Sequence, residues 1–120
     1  MKKSFNLIAL FISVLLSTSC SGQDCSLINN DFDTYQNALK IIKSSDFKFS
    51  DDCNTSKSSW INDAEFFSCD KKTGYLLITT KSKTYIHKDV PIEKWYEFKK
   101  ATSFGQYYNR NIKSRFRLVL

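Results

Sequence analysis

The chain has 120 residues, with 18 Lys and Arg against 12 Asp and Glu, and with four Cys, three Gly and one Pro. This length allows one small domain with an appendage and excludes a large two-domain enzyme. Hydrophobic residues make up 42% of the chain and aromatic residues 15%, so a packed core can form and wholesale disorder is excluded.

Residues 1–19 have the three-part form of a secretory signal peptide. Two lysines follow the first Met, and the apolar run 5–16 is shorter than the ~20 residues of a membrane-spanning helix. The final LSTSC resembles a bacterial lipobox, which implies palmitate on Cys20 and an outer-membrane lipoprotein that faces the periplasm or the cell surface. Its leucine lies four residues before Cys20 rather than three, and signal peptidase I cleavage here would give a secreted protein instead.

Export would place the other cysteines in an oxidising compartment, where paired cysteines form disulfides. Cys25 and Cys53 flank a predicted helix, whereas Cys69 lies in a predicted strand. We therefore expect a Cys25–Cys53 disulfide and a buried Cys69 thiol. One His and the lack of a C-x-x-C motif do not fit a zinc site, and we expect no metal or cofactor.

Charge divides the chain into two parts. Residues 20–56 hold three basic and six acidic groups, whereas residues 57–120 hold 13 basic and six acidic groups. This pattern predicts an acidic N-terminal appendage, 20–56, on a basic domain, 57–120. The two parts either attract each other, or the acidic part contacts a separate partner.

The spacing of apolar residues predicts one helix in the N-terminal part. Asp33 and Gln36 fit an N-cap pair, and the helix should end near Ser44. Its apolar stripe consists of Tyr35, Ala38, Leu39 and Ile42. Residues 47–49 have a short strand-like alternation, and residues 50–58 are predicted to form a connecting loop.

From residue 60 onward, alternation predicts a three-stranded antiparallel meander with strands at 60–69, 75–80 and 84–88. Pro91 is placed to begin a helix. The predicted apolar side of that helix comprises Ile92, Trp95, Tyr96 and Phe98.

A final helix is predicted from the cap Ser103 to about Ser114, followed by a short terminal strand at 116–120. Its apolar face holds Phe104, Tyr107, Tyr108 and Ile112, and its polar face holds Gln106, Arg110 and Lys113. The predicted fold class is therefore α+β: a three-stranded antiparallel meander followed by two short helices, with an N-terminal helical appendage.

The C-terminal part also carries a recognisable set of residues. It comprises Ser58 with Ile61, the turn Asp70 to Gly74, Tyr85-Ile86-His87, Val90-Pro91, and the block Ala101-Thr102-Ser103-Phe104-Gly105-Gln106-Tyr107-Tyr108-Asn109 with Ile112. This set resembles a KTSC domain, the small module named for the C-terminus of some lysyl-tRNA synthetases, over about residues 57–117. His87 stands where the family has the second tyrosine of Tyr-x-Tyr, and the first strand is about two residues longer than in the family pattern.

The residues suggest two other activities, RNA binding and catalysis. The resemblance implies RNA binding as a suggested role, and basic groups interleaved with aromatic rings after residue 98 would suit it; those rings have core spacing, however, and an exported chain meets little RNA. An enzyme would use Cys69 as nucleophile and His87 as base, but no third orienting residue is identifiable.

We therefore expect a non-catalytic envelope lipoprotein whose KTSC-like module binds an unidentified partner. Its membrane contact would be the N-terminal lipid, and its binding surface a set of exposed basic and polar residues that fit an anionic surface or an acidic protein. These residues are Lys99, Lys100, Gln106, Arg110 and Lys113. An immunity or inhibitor lipoprotein is one form of this hypothesis.

Overall fold

The computed structural model describes residues 22–119, so the predicted signal peptide and Cys20 lie outside the described residues. The elements in chain order are a 3-10 turn at Cys25–Leu27, helix α1 (Tyr35–Ser44), strands β1 (Phe49–Cys53), β2 (Asp63–Ser68), β3 (Thr73–Thr79) and β4 (Thr84–Pro91), and helices α2 (Ile92–Lys100) and α3 (Phe104–Asn111). No helix within residues 22–119 has the length and apolar character that crossing a bilayer requires.

The four strands form one antiparallel sheet in the order β1-β2-β3-β4. The α+β class is confirmed, but the sheet has one strand more than predicted, because the predicted loop contributes β1. Strand β1 was not predicted because most of its residues are polar. Phe49 packs towards the core, and the carboxylate of Asp51 accepts a hydrogen bond from Trp95 Nε1 at 2.9 Å, so a charged residue occupies an inward position.

The C-terminal helices cover one face of the sheet. Leu76 and Ile78 of β3 pack with Phe66 of β2 against α2 and α3, in a core that also contains Trp95 and Phe98. The Trp95 ring stacks between its neighbours, with centroid distances of 5.7 Å to Phe66 and 5.9 Å to Phe98. This face supplies most of the large buried side chains of the described residues.

Helix α1 covers the opposite face of the sheet. Ala38 and Ile42 of the predicted stripe are fully buried against Leu77 and Ile86. The helix begins one residue later than the predicted cap implies, because the Oγ1 of Thr34, rather than Asp33, accepts the N–H of Asn37. The N-terminal part is thus a layer of the fold and contributes a strand to the sheet as well.

The predicted disulfide is wrong, because the structure joins Cys25 to Cys69, with a Cα–Cα distance of 5.7 Å. Two pairings bring these residues together. The N–H of Cys25 donates to the carbonyl of Asp46 just before β1, and Phe49 pairs with Ser68 at the end of β2. Cys53 lies at the far end of β1 without a disulfide partner among the described residues, and burial raises the pKa of its thiol.

Helices α2 and α3 follow the predictions with shifted ends. Pro91 is the N-cap rather than the first residue of α2, and Tyr96, predicted on its apolar side, is 42% exposed. Ser103 caps α3 as predicted, but the helix ends at Asn111 instead of near Ser114.

The predicted terminal strand is reduced to an isolated bridge beside β4. The N–H of Lys88 donates to the carbonyl of Arg117 at 3.0 Å, and the N–H of Val119 donates to that of Ile86 at 2.8 Å. The last described residues therefore cover the outer edge of β4.

The disulfide can be tested by peptide mapping and unfolding. A sequence separation of 44 residues gives a chain-entropy stabilisation of about 4 kcal/mol, so Cys25→Ser with Cys69→Ser should lower the free energy of unfolding by that amount. Urea denaturation measures the loss, and Cys53→Ser is the matched control with a much smaller effect. A Cys25–Cys53 peptide in a non-reducing digest would contradict the structure.

Candidate binding site beside helix α3

His87 is the one histidine of the chain and is only 1% exposed. Its Nδ1 lies 3.0 Å from the carbonyl oxygen of Phe116, and its Nε2 lies 2.7 Å from the hydroxyl of Tyr108. A carbonyl oxygen only accepts, so Nδ1 carries the ring proton. In the neutral ring, Nε2 then accepts the Tyr108 O–H.

Burial keeps this ring neutral, because desolvation lowers the pKa of His87 and outweighs the opposing hydrogen bond to Phe116. Burial, with a smaller contribution from Tyr85, raises the pKa of Tyr108 to about 12, so the phenol remains a donor. The pair therefore joins β4 to α3 and to the C-terminal segment. The His87 position suits a neutral hydrogen-bonding group rather than a base open to solvent.

The structure does not bring together Cys69 and His87, the residues that an enzyme would use as nucleophile and base. Cys69 is in the disulfide, and both ring nitrogens of His87 already have partners. Within residues 22–119, no cluster of three or more His, Cys, Asp or Glu side chains could hold a metal ion.

Trp60 forms a ridge beside these residues. Ser58 Oγ accepts the N–H groups of Trp60 and Ile61, which fixes the turn before β2. The indole meets the Tyr108 ring edge to face, with centroids 5.9 Å apart. A Cβ at Gly105 would lie 2.3 Å from the indole Nε1, so only glycine leaves room for the ring.

Two hollows flank this ridge, and both are lined by Trp60 and Asn109. We call them together the Trp60 cleft. The first, of about 310 Å³, has a polar wall that includes Lys57, Ser59, Thr102 and Gln106. The second, of about 280 Å³, is more apolar and is lined by Tyr85, His87, Tyr108, Lys113 and Leu118.

The five predicted binding residues separate into two groups. Lys99 donates to the Asp51 carboxylate in an ion pair, and that hydrogen bond raises the pKa of the lysine. Desolvation would raise the pKa of Asp51, but the donors Lys99 and Trp95 outweigh it and lower the pKa. Lys99 therefore joins the two parts of the chain through this ion pair. All five residues are exposed, and four of them have no ion-pair partner among the described residues: Lys100, Gln106, Arg110 and Lys113.

A sequence model of the KTSC domain matches residues 57–116. The chain belongs to the KTSC domain family. No curated protein and no solved structure matches it. Residues of the set that resembles the KTSC pattern line the Trp60 cleft, among them Ser58, Tyr85, Gly105, Tyr108 and Asn109.

The sequence analysis did not predict the role of Trp60, although Gly105 was an indication of it. Gly105 lies in the first turn of α3, where glycine costs a helix about 1 kcal/mol relative to alanine. A glycine there indicates close approach by another group. The sequence did not say which group, because the contact joins residues 45 positions apart.

The buried His87 predicts a pH dependence of stability. The unfolded chain protonates this side chain near pH 6.5, whereas the folded chain does so only at lower pH. Its contribution is therefore fully present above about pH 6.5 and is lost as the pH falls from there to the lower folded-state pKa. Denaturation at pH 7.5 and 5.5 should show a drop for the wild type that His87→Gln reduces. Equal drops in both proteins would contradict the buried neutral ring.

Proposed function

We propose that this protein is a non-catalytic envelope lipoprotein whose KTSC domain binds an anionic partner through the exposed face of α3. The observation that supports this most is the separation of faces on that helix. Phe104 and Tyr108 of the helix and Ile112 at its C-cap are buried in the core, whereas Gln106 and Arg110 of the helix and Lys113 just after it are exposed.

The charge around this face is uncompensated. No acidic residue occurs between Phe98 and Val119. Lys100, Arg110 and Lys113 make no ion pair within the described part of the chain, in contrast to Lys99. Unpaired cations on one surface produce a positive potential that attracts anionic partners.

The envelope location is supported by two features. Residues 1–20 have the signal-peptide and lipobox pattern. The Cys25–Cys69 disulfide suits an oxidising compartment outside the cytoplasm. An acylated Cys20 would hold the domain at a membrane, where anionic headgroups, anionic glycans and acidic proteins are all within reach.

Acylation is tested by metabolic labelling with palmitate. The wild-type chain should incorporate label, whereas Cys20→Ala should not, because the thiol is the acceptor. The Cys53→Ala chain is the matched control and should be labelled like the wild type. Equal labelling of wild type and Cys20→Ala would exclude lipidation at Cys20.

Charge reversal tests the binding face. Arg110→Glu with Lys113→Glu should reduce binding to anionic phospholipid vesicles and weaken its salt dependence, because exposed ion pairs are screened by salt. Stability should change by no more than about 0.5 kcal/mol. Lys40→Glu with Lys81→Glu makes the same change in net charge elsewhere. Vesicle co-sedimentation measures binding, and equal losses in both double variants would show that only net charge matters.

The RNA alternative needs exposed aromatic rings, and of the three aromatic residues of α3 only Tyr107 is partly exposed. Phe104 and Tyr108 are each 4% exposed. The variant Tyr108→Ala should therefore destabilise the fold by roughly 3 kcal/mol, as truncation of a buried aromatic ring does. Normal folding of that variant with loss of single-stranded RNA binding would favour the RNA role instead.

A further inference from the structure

The Trp60 cleft has the components of a ligand site that the helix face alone lacks. Its hollows, of about 310 and 280 Å³, are near the lower end of the ~300–1,000 Å³ range of small-molecule sites. Gln106 of α3 and Lys113 just after the helix belong both to the cleft and to the proposed binding face. A ligand in the cleft would therefore contact the proposed binding face as well.

The polar groups of the first hollow are available to a ligand. The side chains of Ser59, Thr102 and Asn109 are exposed and make no hydrogen bond to another described residue. The indole N–H of Trp60 likewise has no acceptor among the described residues, and it is not sealed from solvent. The hollow thus offers several neutral donors and acceptors beside one aromatic ring.

The charge of the cleft has one sign. Lys57 lines the first hollow and Lys113 the second, and neither hollow is lined by an acidic residue. Lys57 is held in place, because its ammonium donates to the carbonyl of Ala101 at 3.1 Å and lies 4.5 Å from the Phe104 ring centre. A ligand that extends over Trp60 would meet a cation in each hollow.

These features fit a sugar chain better than a nucleic acid strand. A strand of bases stacks on successive aromatic platforms, whereas the cleft offers one accessible indole. Tyr108 is buried, and the Lys83 ammonium lies 5.2 Å from the centre of the Tyr85 ring. A pyranose ring instead presents an apolar C–H face to one aromatic ring and a rim of hydroxyl groups to amide and hydroxyl side chains.

We propose that the Trp60 cleft binds an acidic oligosaccharide, with one sugar ring packed on Trp60 and its anionic groups facing Lys57 and Lys113. This inference rests on the proposed function, since it names the anionic partner. The Asn109 amide, which lines both hollows, hydrogen-bonds the sugar hydroxyls. Neutral sugars would keep the packing and the hydroxyl contacts but lose both charge contacts.

The test titrates the full chain, purified in detergent, with trigalacturonate and with a heparin hexasaccharide. Calorimetry should detect binding, and tryptophan fluorescence should change through Trp60, because Trp95 is fully buried. Maltotriose, which is neutral, should bind at least about tenfold more weakly, a difference of roughly 1.4 kcal/mol. A uridine hexanucleotide should also bind more weakly than the acidic sugars.

Two variants assign the binding to the cleft. Trp60→Phe keeps an aromatic ring but loses the N–H and contact area, and Asn109→Ala changes an exposed side chain that leaves the core intact. Each should weaken trigalacturonate binding about five- to tenfold. Losses of this size are expected only for residues near the centre of a binding site. Asn62→Ala, another exposed asparagine outside the cleft, should bind like the wild type. Melting temperatures verify folding.

The outcomes separate this inference from the proposed function. If neither acidic sugar binds but anionic vesicles still bind through Arg110 and Lys113, the cleft inference is overturned and the proposed function stands. If neither sugars nor vesicles bind, both fail. Sugar binding that Trp60→Phe and Asn109→Ala leave unchanged, or tighter binding of the hexanucleotide than of either sugar, also overturns the inference.

Discussion

Leu76, Leu77 and Ile78 are consecutive residues of β3, and none of them is exposed to solvent. Side chains alternate along a strand, so this run places apolar groups on both faces of the sheet. Each face must then be covered. Helices α2 and α3 cover one face and α1 covers the other, which makes the N-terminal part a structural requirement of the KTSC sheet in this chain. The Cys25–Cys69 disulfide and the pairing of β1 with β2 attach that layer to the rest of the sheet.

Two polar side chains of this core, those of Asp51 and His87, have hydrogen-bond partners inside it. Asp51 lies between Trp95 Nε1 and the Lys99 ammonium, and this contact ties the acidic N-terminal part to the basic C-terminal part. His87 is neutral and uses both ring nitrogens. The polar side chains around Trp60 differ, because several have no partner among the described residues. These exposed groups remain available to a ligand.

The sequence predicted the elements whose pattern lies within one short segment of the chain. The 3.6-residue spacing of Ala38 and Ile42 located α1, and the Ser103 cap located α3, since both features lie within one helix. The Cys25–Cys69 pairing depends on the register of Phe49 with Ser68, which no local pattern encodes. Strand β1 was not predicted because Asp51 is charged and its hydrogen-bond donors, Trp95 and Lys99, are 44 and 48 residues away along the chain. The cleft likewise depends on a long-range contact between Trp60 and Gly105.

The backbone bridge between His87 and Leu118 reduces the tendency of copies of the chain to aggregate through β4. An uncovered strand edge offers N–H and C=O groups to any neighbouring chain and promotes aggregation. The C-terminal segment occupies the edge of β4, and the opposite edge is the short β1, whose exposed residues Ser50 and Asp52 discourage further pairing. Copies at high local concentration could therefore crowd without extending one sheet into the next.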